Sequence, residues 1–97
     1  MNEQEIEQEI QEKNLNAPRL TPKMIGGVIS RVEHYITEST LTVCCVTLVN
    51  GFTVTGESAC ASPENFNKEL GEKKSFDMAR QKIWALEGYL LKQRLFT

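Results

Sequence analysis

The sequence is short of the parts that chemistry needs. It has one histidine among 97 residues, with no cysteine or serine set beside it in a nucleophile pattern. Its three cysteines are an odd number without a Cys-x-x-Cys pair, so neither a disulfide framework nor a zinc site is implied. No glycine-rich phosphate loop is present, and Gly56-Glu57-Ser58-Ala59 lacks the second glycine of a Gly-x-Ser-x-Gly elbow. The chain therefore reads as a non-enzyme, with no catalytic residue, cofactor or metal expected. No apolar run approaches the ~20 residues that span a bilayer, and the amino end is acidic rather than basic-then-apolar. A cytosolic protein with no membrane partner is expected. The net charge of −2 gives no bulk attraction to nucleic acid or anionic lipid.

What is present is ordinary in amount and uneven in placement. A hydrophobic content of 40% with 25% charge suits one modest core. The acidity is concentrated at the start: Glu3, Glu5, Glu7, Glu9 and Glu12 stand against Lys13 alone over residues 1–17. Only Ile6, Ile10 and Leu15 are large and apolar there, so residues 1–20 are expected to form a mobile or partly helical acidic arm. Its five glutamates are candidates for ordering on a basic partner. Residues 21–97 form a single α+β domain.

Thr21-Pro22 is a hydroxyl cap followed by proline at the first helical position. Ile25, Val28, Ile29, Val32 and Ile36 follow at helical spacing and predict one apolar stripe. Gly26-Gly27 inside it costs roughly 2 kcal/mol against alanine, which a close approach by another element, or a backbone contact to a ligand, would justify. His34 and Tyr35 fall near the end of this helix, the histidine as a surface or capping residue.

After Ser39-Thr40, the run Leu41–Val49 is rich in strand formers. Asn50-Gly51 suits a two-residue turn with positive φ, and Phe52–Cys60 is the returning strand. A two-residue turn sets Val49 opposite Phe52. It places Leu41, Val43, Cys45, Phe52 and Val54 on the face toward the helices. Cys44, Val46, Leu48, Thr53, Thr55 and Glu57 then share the other face, half apolar and uncovered. Those six are the partner-binding candidates, and a homodimer through them is expected. Cys45 and Cys60, ~13 Å apart at strand rise, are beyond disulfide reach; Cys45 is expected to be buried.

Ser62-Pro63-Glu64-Asn65 repeats the cap-and-proline signal, and a helix is predicted from Pro63 to about Phe96. Phe76, Ala79, Ile83, Leu86 and Leu90 form its stripe, with Gly71 a candidate break. Lys68, Lys73 and Lys74 at its start are a solvated basic face or, alternatively, phosphate contacts.

Several unusual runs carry a family resemblance. Thr42-Val43-Cys44-Cys45, Asn50-Gly51-Phe52-Thr53-Val54-Thr55-Gly56-Glu57-Ser58-Ala59-Cys60, Ser62-Pro63-Glu64-Asn65-Phe66 and Lys82-Ile83-Trp84-Ala85-Leu86-Glu87-Gly88-Tyr89-Leu90 occur in the order seen in a family of small tailed-phage and prophage proteins, the phage gene-49/gene-66-like proteins. The resemblance covers roughly residues 21–95 and leaves the acidic arm outside. Asn67 stands where the family often has Asp, and Ser75 where it often has Ala. The resemblance implies phage origin without a defined activity. Joined to the non-catalytic reading, it leads to an accessory protein of the host cytoplasm that binds a host protein or complex, such as a counter-defence inhibitor of anti-CRISPR type. Two alternatives stand beside it. Helix–hairpin–helix order is similar to a double-stranded-RNA-binding domain, although no third strand is visible and aromatic and basic residues are not interleaved. An oligomer that sequesters a nucleotide signal would use Gly26-Gly27 and the lysines.

Overall fold

The computed structural model describes residues 2–15, 17–37 and 40–97. The fold is α+β. Helix α1 (Glu3–Glu12) and the short helix α2 (Pro22–Gly27) precede strands β1 (Ile29–Thr37), β2 (Leu41–Leu48) and β3 (Thr53–Ala59). One 3₁₀ turn (Pro63–Asn65) leads into the long helix α3 (Lys68–Phe96). The three strands form an antiparallel sheet in the order β1-β2-β3, and α3 packs across β3 and β2. Ser39, expected to open the second strand, lies outside the described residues.

The first correction concerns residues 28–37. The predicted helix stops at Gly27, and the stripe Ile29-Val32-Ile36 belongs to β1 instead. Thr21 caps α2 as expected, its Oγ1 accepting from the Met24 N–H at 3.2 Å. Two glycines then weaken the helix while Val28, Ile29 and Val32 favour a strand. A sheet with three strands thus replaces the expected two-stranded hairpin. Neither Gly26 nor Gly27 has anything within 4 Å of where a Cβ would sit, so neither allows a close approach.

The second correction is register. The turn has three residues, Val49-Asn50-Gly51. Leu48 N–H donates to Phe52 O at 2.8 Å, and Gly51 N–H donates to Leu48 O at 2.9 Å. Gly51 has φ 89°, and Asn50 Oδ1 accepts from the Phe52 N–H at 3.0 Å. This is the turn-plus-bulge form that also favours glycine in the left-handed position. Val46 therefore pairs with Val54 and Cys44 with Gly56. One residue of loop exchanges the faces. Thr42, Cys44, Val46, Leu48 and Val54 are buried toward α3, whereas Val43, Cys45 and Thr47 look outward with Thr53, Thr55 and Glu57. Cys44, not Cys45, is the buried thiol, and all three cysteines are free.

A bulge in β1 completes the core. Ile29 pairs with Leu48 but Arg31 pairs with Thr47, so Ser30 is the extra residue. It turns Ile29 to the helix side, where Ile29 packs on the core with Leu20, Val28, Phe76 and Trp84.

Helix α3 lies close to the sheet because its contact row is small. Gly71, Ser75, Ala79 and Ile83 are its buried residues. A Cβ on Gly56 would fall on the Ser75 carbonyl oxygen and 2.6 Å from the Ala79 nitrogen, and one on Gly71 would lie 2.5 Å from Thr42 Oγ1. Ser75 satisfies its buried hydroxyl by donating to Gly71 O at 2.7 Å. Asn67 caps α3, its Oδ1 accepting from the Leu70 N–H at 3.0 Å, a contact of about 1 kcal/mol. The helix runs unbroken through Gly71 and Gly88. Ser62-Pro63 makes only the 3₁₀ turn, without a side-chain cap.

Candidate interaction surfaces

The six partner-binding candidates do not share a surface. Cys44, Val46 and Leu48 are in the core; Thr53, Thr55 and Glu57 are exposed on the opposite face. That outer face carries a small polar cluster on β1. Arg31 Nη2 lies 3.0 Å from Glu33 Oε2, and Tyr35 OH donates to the same oxygen at 2.9 Å. The bond to the Glu33 carboxylate pushes the Tyr35 phenol above its ordinary pKa.

The structure also brings together a pair that linear spacing hides. His34 on β1 is directly opposite Cys44 on β2. Among the described residues, His34 Nε2 is buried without a hydrogen-bond partner, as is Thr42 Oγ1. The pair is a poor nucleophilic couple. Cys44 is fully buried, and burial, with the nearby Cys45 and Glu72, pushes its thiol pKa up, away from the reactive thiolate. Among the described residues, no group of three or more His, Cys, Asp or Glu is placed to hold a metal.

The acidic segment is helical. Asn2 caps α1, its Oδ1 accepting from the Glu5 N–H at 2.8 Å. A ten-residue helix is marginal alone, and here two arginines hold one side of it. Arg19 takes Glu7 in a two-pronged contact of 2.6 and 2.9 Å, and Arg80 Nε donates to Glu3 Oε2 at 2.7 Å. Hydrogen bonds from Arg80 and Arg19 hold the Glu3 and Glu7 carboxyls below the usual carboxylate range, with Trp84 and Gln11 adding weaker ones. Ile6, Ile10, Leu20 and Trp84 line the seam below. Glu5, Glu9 and Glu12 lie on the other side of the helix, Glu9 paired at 2.9 Å with Lys13.

Lys68, Lys73 and Lys74 are exposed at the start of α3. The same turns carry Glu69, Glu72 and Asp77, so the segment is locally neutral. Lys73 borders a groove with His34, Glu69 and Glu72. Gly27 lies toward the other end of α3, lining a groove with Arg94 and Thr97, so the glycines and lysines of a nucleotide site are not brought together.

That second groove is lined largely by apolar side chains, Leu20, Met24, Val28 and Leu90 among them. It has a volume of about 720 Å³ between α2 and the end of α3. An adjoining hollow of about 260 Å³ reaches the hairpin tip at Val49 and Phe52. The two share Val28, Glu87 and Leu90. Pattern reasoning missed this surface because Leu86 and Leu90 continue the core stripe of α3; only the position of the sheet's end shows that they stay partly exposed.

The family model described as Phage protein (N4 Gp49/phage Sf6 gene 66) family matches residues 1–95. The chain belongs to this phage protein family. The match includes α1, which the resemblance over residues 21–95 left out. Among curated proteins and among solved structures, nothing matches the chain. Among the described residues of this phage protein, no helix is long and apolar enough to cross a membrane.

Proposed function

We propose that the protein is a non-enzymatic phage accessory protein that binds a host macromolecule in the host cytoplasm and occupies a functional surface of it, as a counter-defence inhibitor of anti-CRISPR type does. The observation that carries this reading is the outward row of α1. Glu5, Glu9 and Glu12 follow at spacings of four and three on one side of a docked helix. The three carboxylates are spaced about 5 Å apart along the axis, wider than the ~3.4 Å between phosphates of a nucleic-acid strand, and Glu9 shares its charge with Lys13. A row of this kind suits a host site built of lysine and arginine. The sealed, proton-holding Cys44 thiol beside the lone histidine supports action by binding rather than by covalent chemistry.

The test is retention of host proteins on the immobilised full chain, compared with Glu5→Lys/Glu9→Lys/Glu12→Lys. A specific host protein is expected on the wild type, eluted by moderate salt and absent from the variant. Identical recoveries from the two would remove the acidic row from the argument.

One observation favours a second reading, nucleic-acid binding. The order α2-β1-β2-β3-α3, with the helix on one face of the sheet, supplies the strand that the comparison with a double-stranded-RNA-binding domain lacked. That reading expects affinity for duplex RNA to fall steeply with salt and to vanish in Lys73→Glu/Lys74→Glu. The local neutrality of those turns ranks it second.

A further inference from the structure

Helix α3 is longer than the sheet it covers. Its 29 residues extend about 43 Å, whereas the eight residues of β2 extend about 26 Å. The last fully buried position is Ile83. Beyond it the stripe continues through Leu86 and Leu90, which border the end of β2 at Leu48. Tyr89 is 71% exposed, Val49 67%, Phe52 55%, Met24 53%, Leu90 51% and Leu86 39%. At roughly 150–250 Å² for a large side chain, these six present on the order of 700 Å² of mostly apolar surface. That exceeds the usual largest patch of a monomer, about 300–600 Å², and matches the ~800 Å² each partner contributes to a standard interface.

We infer that this surface is covered by a second copy of the chain, with the two α3 helices crossing antiparallel about a two-fold axis between Leu90 and Leu91. The charges in the groove select this occupant. Glu87, Leu90 and Arg94 lie on one side of α3 and all line the groove. Neither Glu87 nor Arg94 is in an ion pair among the described residues, and neither has an opposite charge three or four residues away on the helix. Residues 87 and 94 are equidistant from the proposed axis. The two-fold therefore sets Glu87 of each copy at the height of Arg94 of the other, and Leu86 at the height of Leu95. An isologous interface requires this relation: residue i meets j, and j meets i. The acidic row of α1 plays no part, so this interface stands or falls separately from the proposed host binding.

The test is sedimentation velocity of the full chain across a micromolar concentration series. Wild type is expected at twice the 11.0 kDa chain mass. Leu90→Arg is expected to weaken the dimer about thirtyfold or more, as loss of a central contact does. Leu90 is exposed, so far-UV circular dichroism should be unchanged. Glu87→Arg alone should give monomer, and Glu87→Arg/Arg94→Glu should restore the dimer. Three results overturn the inference: a wild type that stays monomeric, which leaves the groove to a different partner; a dimer indifferent to Leu90→Arg and Glu87→Arg, which puts the contact elsewhere; or a double variant that fails to recover.

Discussion

The two halves of α3 are one helix under opposite rules. The first half buries Gly71, Ser75 and Ala79, small or polar residues. The second exposes Leu86, Tyr89, Leu90, Leu95 and Phe96, all large and apolar. Hydrophobicity therefore does not sort the helix into inside and outside; the reach of the sheet does. Where β2 and β3 come closest, the seam takes the small Gly71, Ser75 and Ala79, and Gly56 on β3 is the matching notch. Where the strands end, large side chains such as Tyr89 and Leu90 stay half exposed or more.

The sharpest way to break this contrast is to fill the notch. Gly56→Val should cost about 3 kcal/mol or more, since its side chain collides with α3 backbone rather than a movable side chain. Gly27→Ala, with open space at its Cβ, should stabilise by up to about 1 kcal/mol. Urea denaturation reads both, and similar effects for the two would deny that the seam is tight.

Next in size is truncation along the stripe. Ile83→Ala leaves a cavity in the core and should cost about 2–5 kcal/mol. Leu86→Ala, three residues on and partly exposed, should cost under about 1 kcal/mol in dilute solution. Equal losses would mean that the second half of α3 is packed within the monomer.

The smallest effect belongs to α1, which is held by polar contacts rather than a seam. Glu3 and Glu7 have folded-state pKa values below their ordinary ones. Their contribution is therefore complete above the unfolded carboxylate pKa and is lost as pH falls through the lowered folded value. Both pairs are partly solvated, and the Glu3–Arg80 contact should be worth under about 1 kcal/mol. Acidification below the usual carboxylate range should change Trp84 fluorescence before the sheet melts, and Glu3→Gln/Glu7→Gln should remove that early step. A single transition common to both proteins would show α1 to be part of the cooperative core.

Local signals were legible where local physics decides. Thr21-Pro22 starts a helix, Asn50-Gly51 turns a hairpin, and the run after Pro63 becomes a long helix. The β1 region was misread because Ile29, Val32 and Ile36 fit helical spacing, while their β-branching favours a strand; pairing with β2 resolved the tie. The candidate surface on the hairpin was lost to a turn of three residues rather than two. Asn50-Gly51 accommodates either length, and strand parity then reversed every face. His34 meets Cys44 only through that same pairing.

By itself, the sequence determined the α+β class, the hairpin, the cap at Thr21, and membership of a phage family. Local backbone preferences and apolar periodicity are sufficient for these. Tertiary structure alone decided which hairpin face is core, that a third strand extends the sheet, that two arginines dock the acidic helix, and where α3 outruns its support. Each depends on register or relative length between segments distant in the chain, and no single segment encodes those quantities.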